Sequence, residues 1–276
     1  DENQHILGSA TADLHVSRPR PSWSEQAPED WIAAAEMAIA SVRDAHPTEF
    51  SALKGIGLSG QMHGATLYDA EDRPIRPSIL WNDTRAAEEA AEMDATPAFR
   101  RITGNIVFPG FTAPKLRWIA RHEPEAFARV AKVLLPKDAL RLWLTGDYVS
   151  EMSDASGTSW LDIGARDWSD ELLAATGLTR AHMPRLVEGT EPGGMLRERL
   201  RREWKIEGAV TVAGGAGDNA ASAVGMGMVS EGQAFVSLGT SGVLFAANDV
   251  WRPQPESAVH AFCHALPNRW HQMGVI

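Results

Sequence analysis

AVTVAGGAGDNAASAVGM, residues 209–226, is the stretch on which the fold turns. Its β-branched start, Ala209 to Ala213, reads as a strand. Gly214-Gly215-Ala216-Gly217 reads as a tight turn and the small-residue run Ala220 to Met226 as a helix. Asp218-Asn219 stand where turn meets helix. Glycines at such a turn let the backbone come close to a ligand, and a carboxylate at a helix start lies in the positive field of the peptide dipoles, which favours its ionised form. Asp218 is therefore placed like a general base. Two other readings compete. Asp is a favoured N-cap residue for purely local reasons, and Gly215-x-Gly217-x-x-Ala220 mimics a dinucleotide fingerprint. That fingerprint needs an acid ending the next strand. The next strand, Ala234 to Leu238, runs into Gly239-Thr240 with no acid.

The same strand opens a second signal. Ala234 to Leu238 and Val243 to Ala246 flank Gly239-Thr240-Ser241-Gly242, a hairpin tip whose backbone amides can form a nest around phosphate oxygens while the two hydroxyls add donors. A plain tight turn is the competing reading, and the nearby acid-bearing glycine turn is what favours the nest.

Upstream, Pro28 to Asp44 carries Trp31, Ala35, Ala38 and Val42 on one helical face, with Pro28 suited to a first turn and Glu29 and Asp30 beside the positive helix end. His5 to Val16 alternates like the second arm of a hairpin. Lys54 to Ser59 reads as a strand leading into Gly60-Gln61-Met62-His63-Gly64, and Ala65 to Tyr68 as another. Ile79 to Trp81 leads into Asn82-Asp83-Thr84-Arg85, and Ala86 to Met93 is helical by composition. Ser150 to Trp160 reads as a polar loop that lines a cleft or crosses the surface, and Gly193 to Trp204 as an amphipathic helix. Helical stretches alternating with a strand at Lys132 to Leu135 argue for an α/β architecture.

Composition narrows the partners. In 276 residues, 26 Lys and Arg face 36 Asp and Glu, a net charge of −10, with no uninterrupted basic block, so no nucleic-acid partner is expected. No apolar run is long enough for a membrane span, so no membrane partner is expected either. The single cysteine, Cys263, fits a reducing, cytoplasmic compartment.

Seven stretches carry a resemblance: SGQMHGATLYDA (59–70), LWNDTR (80–85), ITGNIVFPGFTAPKLRW (102–118), LLPKDALRLWLTG (134–146), AGGAGDNAASAVGMGMV (213–229), VSLGTSGV (236–243) and ESAVHAFCHALPNRW (256–270). Together they resemble bacterial ketopentose-specific members of the FGGY family of carbohydrate kinases. The resemblance implies an actin-like, ribonuclease-H-like ATPase fold, with residues 1–228 as the N-terminal sugar-binding domain and 229–276 as the start of the C-terminal nucleotide-binding domain. It implies ATP with Mg²⁺, a ketose as acceptor with D-xylulose the first choice, phosphorylation of the 5-hydroxyl, and a homodimer at family level. By motif match, Asp218 is the proton acceptor. Met62 and His63 contact substrate, with Trp81, Asn82, Asp83 and Asn219 lining the sugar pocket. Gly239, Thr240, Ser241 and Gly242 belong to a phosphate hairpin, and no residue is assigned to metal.

The glycerol kinases of the family carry Arg-Glu where this chain has Met62-His63. The alternatives kept open are another ketose or polyol kinase, or a catalytically dead sugar-binding module. Family members begin with an Asp-x-Gly-Thr hairpin that nothing before Asp1 matches, and they continue well past the position of Ile276. The sequence is therefore expected to be part of a longer kinase, without turnover on its own.

Overall fold

The computed structural model describes residues 3, 5–239 and 242–275, so Thr240 and Ser241 of the expected phosphate hairpin lie outside the described residues. Its spine is two chain segments that run side by side in the same direction. Gly55–Ile56 pairs in parallel with the strand Thr211–Ala213, and after a short interruption Ser59–Gly60 pairs in parallel with Ala216–Gly217, in the register Ala216 to Ser59 and Gly217 to Gly60. The interruption falls at Gly215, whose φ of +76° and lack of a side chain are both needed. A Cβ there would stand 2.3 Å from the Leu58 carbonyl oxygen. Pro192–Met195 adds an antiparallel strand to Thr211–Ala213.

Helices cover this spine. Pro28–Ala45 starts on Pro28 with Glu29 and Asp30 in its first turn and Arg43 in its last, the charge order that the helix dipole favours. It packs Trp31 against Tyr68, Leu80, Leu134, Ala139 and Leu142, the last two on the helix Pro136–Thr145. The largest core cluster joins Leu67, Ile79, Phe111, Leu116, Ile119 and Trp160 with Phe262, Cys263 and Met273 of the C-terminal sheet. One continuous apolar interior therefore links the early and late parts of the chain. That sheet is antiparallel, with Ala234–Leu238 beside Gly242–Asn248, then Trp270–Val275, then His260–Cys263. Among the described residues no helix is long and apolar enough to cross a membrane.

Three expectations need correction. His5 to Val16 forms no strand and is largely exposed, with Ile6 at 87%. Alternation makes a strand only where a neighbour completes the ladder, and the pairing here begins at Ser17 with Glu25. Ser150 to Trp160 is no loop. It is the end of the strand Val149–Glu151, the helix Met152–Ala155 and a 3₁₀ turn at Ser156–Thr158, all buried. Three of its hydroxyls are satisfied locally, Ser153 donating to Glu151 Oε2, Ser156 to the Met152 carbonyl and Thr158 to that of Ala155, while Ser150 Oγ is buried without a partner among the described residues, so a polar composition is compatible with burial. Gly193 to Trp204 divides into the strand Pro192–Met195 and the helix Glu198–Glu203, because Gly194 at φ +143° continues the sheet.

Candidate active site

Parallel neighbours in register end on the same side. The residues just beyond Ser59–Gly60 and Ala216–Gly217 therefore emerge together: Gln61-Met62-His63 from one strand, Asp218-Asn219 from the other. These five residues line one cavity of about 290 Å³, with Trp81, which is half exposed, and with Val243, Met273 and Val275 from the C-terminal sheet. Five of the residues singled out from sequence (Met62, His63, Trp81, Asp218 and Asn219) thus meet in one place. A larger groove of about 370 Å³ is lined by five alanines with Trp31, Ser59, Gly60, Gln61 and Lys137 among others, and none of the site residues singled out from sequence lines it.

Asp218 is not the helix cap. Gly217 takes the N-cap position of the helix Asp218–Gly225 without a side-chain cap bond, and Asp218 is the first helical residue. Its Oδ1 accepts from the Asn219 amide at 2.8 Å and from Asn219 Nδ2 at 3.1 Å. The side chain stays open to the cavity, yet its crowded surroundings push the carboxyl above its ordinary range, against the lowering pull of the Asn219 bonds. Desolvation therefore opposes the helix-start field that favours the ionised carboxylate.

His63 holds a left-handed φ of +70°, uncommon for a residue with a side chain. Its backbone carbonyl accepts from Lys115 Nζ at 2.8 Å and from Thr112 Oγ1 at 3.2 Å, and its ring stacks on Phe111 at 4.6 Å. Nδ1 lies 2.8 Å from the Gly157 carbonyl oxygen. A carbonyl can only accept, so Nδ1 carries the proton and Nε2 is left as an acceptor. Burial, aided by the nearby positive Lys115, holds the imidazole down to about 3, so the ring is neutral near pH 7.

The remaining assignments separate from the cavity. Asn82 lines an open surface groove with Arg18 to Ser24. Asp83 is fully buried, with Oδ2 accepting from the Ser24 amide at 2.6 Å and both oxygens engaged by Arg85. It ties the chain before the first helix to the 80–85 segment and does not line the cavity. Gly242 opens the strand that supplies Val243, and Gly239 lies just past the facing strand.

Sequence reading missed the buried cations. Lys115 is fully buried with Nζ on the carbonyls of His63 and Gly110, and burial brings its ammonium down to about 7. The available signal was its spacing, since Lys115 lies three and four residues before Trp118 and Ile119 on the apolar face of Thr112–His122. Lys137 was overlooked likewise. It is fully buried on Pro136–Thr145, 2.6 Å from Asp138, 3.4 Å from Asp154 and 3.7 Å from Glu151.

Residues 1–225 match the N-terminal domain of the FGGY family of carbohydrate kinases. The chain belongs to that family. A xylulose kinase from Escherichia coli K12 is 53% identical over 277 residues, covering 100% of this chain and 57% of that relative. The crystal structure of a xyloylose kinase from Brucella ovis superposes with a TM-score of 1.00 at 70% identity, over 100% of this chain and 57% of that one. A xylulose kinase from Rhodospirillum rubrum gives 0.89 at 26% identity, over 95% and 54%. The chain thus spans a little over half the length of these relatives, and its fold is the actin-like ATPase fold of FGGY kinases.

The neutral histidines of this FGGY chain make a pH prediction. Burial holds His63 near 3, His260 near 4 and His264 and His271 below the ordinary 6.5. Unfolded, each takes up a proton below 6.5, whereas the folded chain refuses it until lower pH, so the unfolded state binds more protons in that window. Stability should be flat with respect to these groups above 6.5 and fall steadily as pH drops from 6.5 toward 4. Urea midpoints at pH 7 and about pH 5 check this, and equal midpoints would show that these rings are charged in the fold.

Proposed function

We propose that the full-length protein carrying this chain transfers the γ-phosphoryl group of ATP to a hydroxyl of a ketopentose, D-xylulose being the substrate favoured by its relatives, to give D-xylulose 5-phosphate and ADP. The observation that carries this reading is the meeting of an open carboxylate, Asp218, and a neutral histidine, His63, in one cavity at the ends of adjacent parallel strands. On this reading residues 1–228 are the sugar-binding domain, 229–276 begin the nucleotide-binding domain, and the protein is cytoplasmic. The end of the family match at residue 225 and the start of the C-terminal sheet at Ala234 support that division.

Among the described residues no three His, Cys, Asp or Glu side chains form a metal cage. Magnesium in phosphoryl transfer is held largely by substrate phosphates with one or two carboxylates, and among the described residues the only carboxylate lining this cavity is the proposed base. The residues present do not fit a protein-held ion, and no step of the reaction is routed through one.

The steps need this chain's own groups. His63 Nε2 accepts a hydrogen bond from a sugar hydroxyl and Asn219 offers amide donors, while Trp81 and Met62 supply apolar wall. Asp218 takes the proton of the attacking hydroxyl as its oxygen bonds to the γ-phosphorus and the bridging P–O bond breaks, the electron pair leaving with ADP. A carboxyl raised from its ordinary range is a stronger base once ionised, which suits this role. A coupled ADP-release assay on the full-length protein with D-xylulose is expected to show sugar-dependent turnover, and turnover that ignores the sugar would dismiss the reading.

His63→Ala should raise KM for the sugar by about ten-fold, the worth of one well-placed hydrogen bond, with a smaller change in KM for ATP. Equal changes in both would assign His63 to the scaffold.

A further inference from the structure

The turn that carries Asp218 has almost no side chains of its own. Gly214, Gly215 and Gly217 supply close approach but no fixed orientation, since glycine backbone is the most permissive. Beside the backbone bonds of Gly214, Gly215 and Ala216 to Glu191, Gly189 and Leu58, two buried side chains outside the cavity take hold of it. Arg141, fully buried on Pro136–Thr145, donates from one terminal guanidinium nitrogen to the Ala213 carbonyl at 2.7 Å and from the other to the Gly214 carbonyl. The strand Pro192–Met195 closes over it so tightly that a Cβ on Gly193 would stand 2.3 Å from that guanidinium. At the far end of the turn, Ser153 Oγ accepts from the Gly217 amide at 3.1 Å and donates to Glu151 Oε2 at 2.8 Å. Glu151 is itself fixed by the amides of Ser153 and Asp154.

The turn is thus gripped by its carbonyls at the start and by its amide at the end, one residue before Asp218. Neither gripping residue lines the cavity. A general base must reach its proton within hydrogen-bond distance, and a displacement of about 1 Å can cost about a hundred-fold in rate. We propose that Arg141 and Ser153 are positioning residues for phosphoryl transfer, holding the Ala213–Gly217 turn so that the Asp218 carboxylate meets the acceptor hydroxyl. This rests on the reading of Asp218 as the base.

The test uses the full-length protein with Ser153→Ala, Arg141→Lys, Asp218→Asn and the Ser153→Ala/Asp218→Asn double variant. Ser153→Ala removes one oxygen and is expected to fold, so the test stands even if the Arg141 variant does not. Ser153→Ala should lower kcat on the order of ten-fold, with the calorimetric Kd for D-xylulose and KM for ATP within about two-fold. Arg141→Lys, which cannot span both carbonyls, should move kcat in the same direction. Once Asp218 is gone, Ser153→Ala should change the residual rate by less than about two-fold, because groups acting through one another are non-additive. The proposal is overturned if Ser153→Ala keeps wild-type kcat, or if it lowers the rate by the same factor in both backgrounds, which would mark a general structural role. An Asp218→Asn single variant that stays active instead sinks the base reading itself. The two failures are therefore distinguishable.

Discussion

Asp218→Asn in the full-length protein is expected to lower kcat by about a hundred-fold or more, the usual worth of a general base, while leaving the fold intact. Asparagine keeps the shape and can still meet the Asn219 amide through its oxygen, so the loss isolates proton acceptance. Stability gives a second readout with a definite sign. Burial raises the Asp218 carboxyl above its ordinary 3.8. A carboxyl raised in the fold binds its proton more tightly there than in the unfolded chain, so at neutral pH its charge costs stability. Removing the charge should leave the melting temperature unchanged or higher. The acid limb of the kcat profile should also lie above the ordinary carboxylate range. Activity retained within a few-fold would return Asp218 to a local structural role, and a lower melting temperature would show that the fold favours the charged carboxylate.

The site was legible to the extent that chain order determined geometry. A glycine turn followed by an acid and a helix, and a strand running into Gln61-Met62-His63, are local patterns, and the parallel pairing that unites them follows from the α/β alternation. What composition could not convey is where charge goes. Asp83 stands two residues after Trp81, yet its carboxylate turns inward to Ser24 and Arg85 while the indole faces the cavity. Ser150 to Trp160 looked like a polar loop because its hydroxyls and acids are those of loops, and only the structure shows most of them taken up by neighbouring groups and by Lys137. The dipole argument for Asp218 named a real force but omitted the desolvation that raises the carboxyl against its Asn219 hydrogen bonds. For Asp83 and the Ser150 to Trp160 segment the missing quantity was burial, a tertiary property that charge alone does not announce.

The largest stability effect is expected at Lys137. Its ammonium is fully buried among three fully buried carboxylates. Burial opposes its charge, but the attraction of Asp138, Asp154 and Glu151 outweighs that, and the ammonium is held above its ordinary range. The carboxyls respond less evenly. Burial raises both Glu151 and Asp154 despite Lys137, and for Asp154 the like charges of Asp138, Glu151 and Asp218 add to the rise, so that Asp154 keeps its proton most readily. Lys137→Met replaces the cation by an unbranched apolar chain of similar length, so little cavity term enters. It leaves buried negative charge answered only by Arg141, whose Nε is 4.0 Å from Asp138. Breaking one partner of a buried ion group in this way costs about 3 to 5 kcal/mol, read as a lower urea midpoint at constant m. The loss should also depend on pH. Without the cation the carboxyls of Glu151 and Asp154 rise further above their unfolded values, so the variant binds more protons folded than unfolded over a wider window and loses stability as pH rises through it. Its deficit relative to wild type should therefore be greatest near neutrality and shrink toward about pH 5. A deficit under about 1 kcal/mol, the size of an exposed pair, or one that ignores pH, would mean that the cluster carries no buried charge for Lys137 to neutralise.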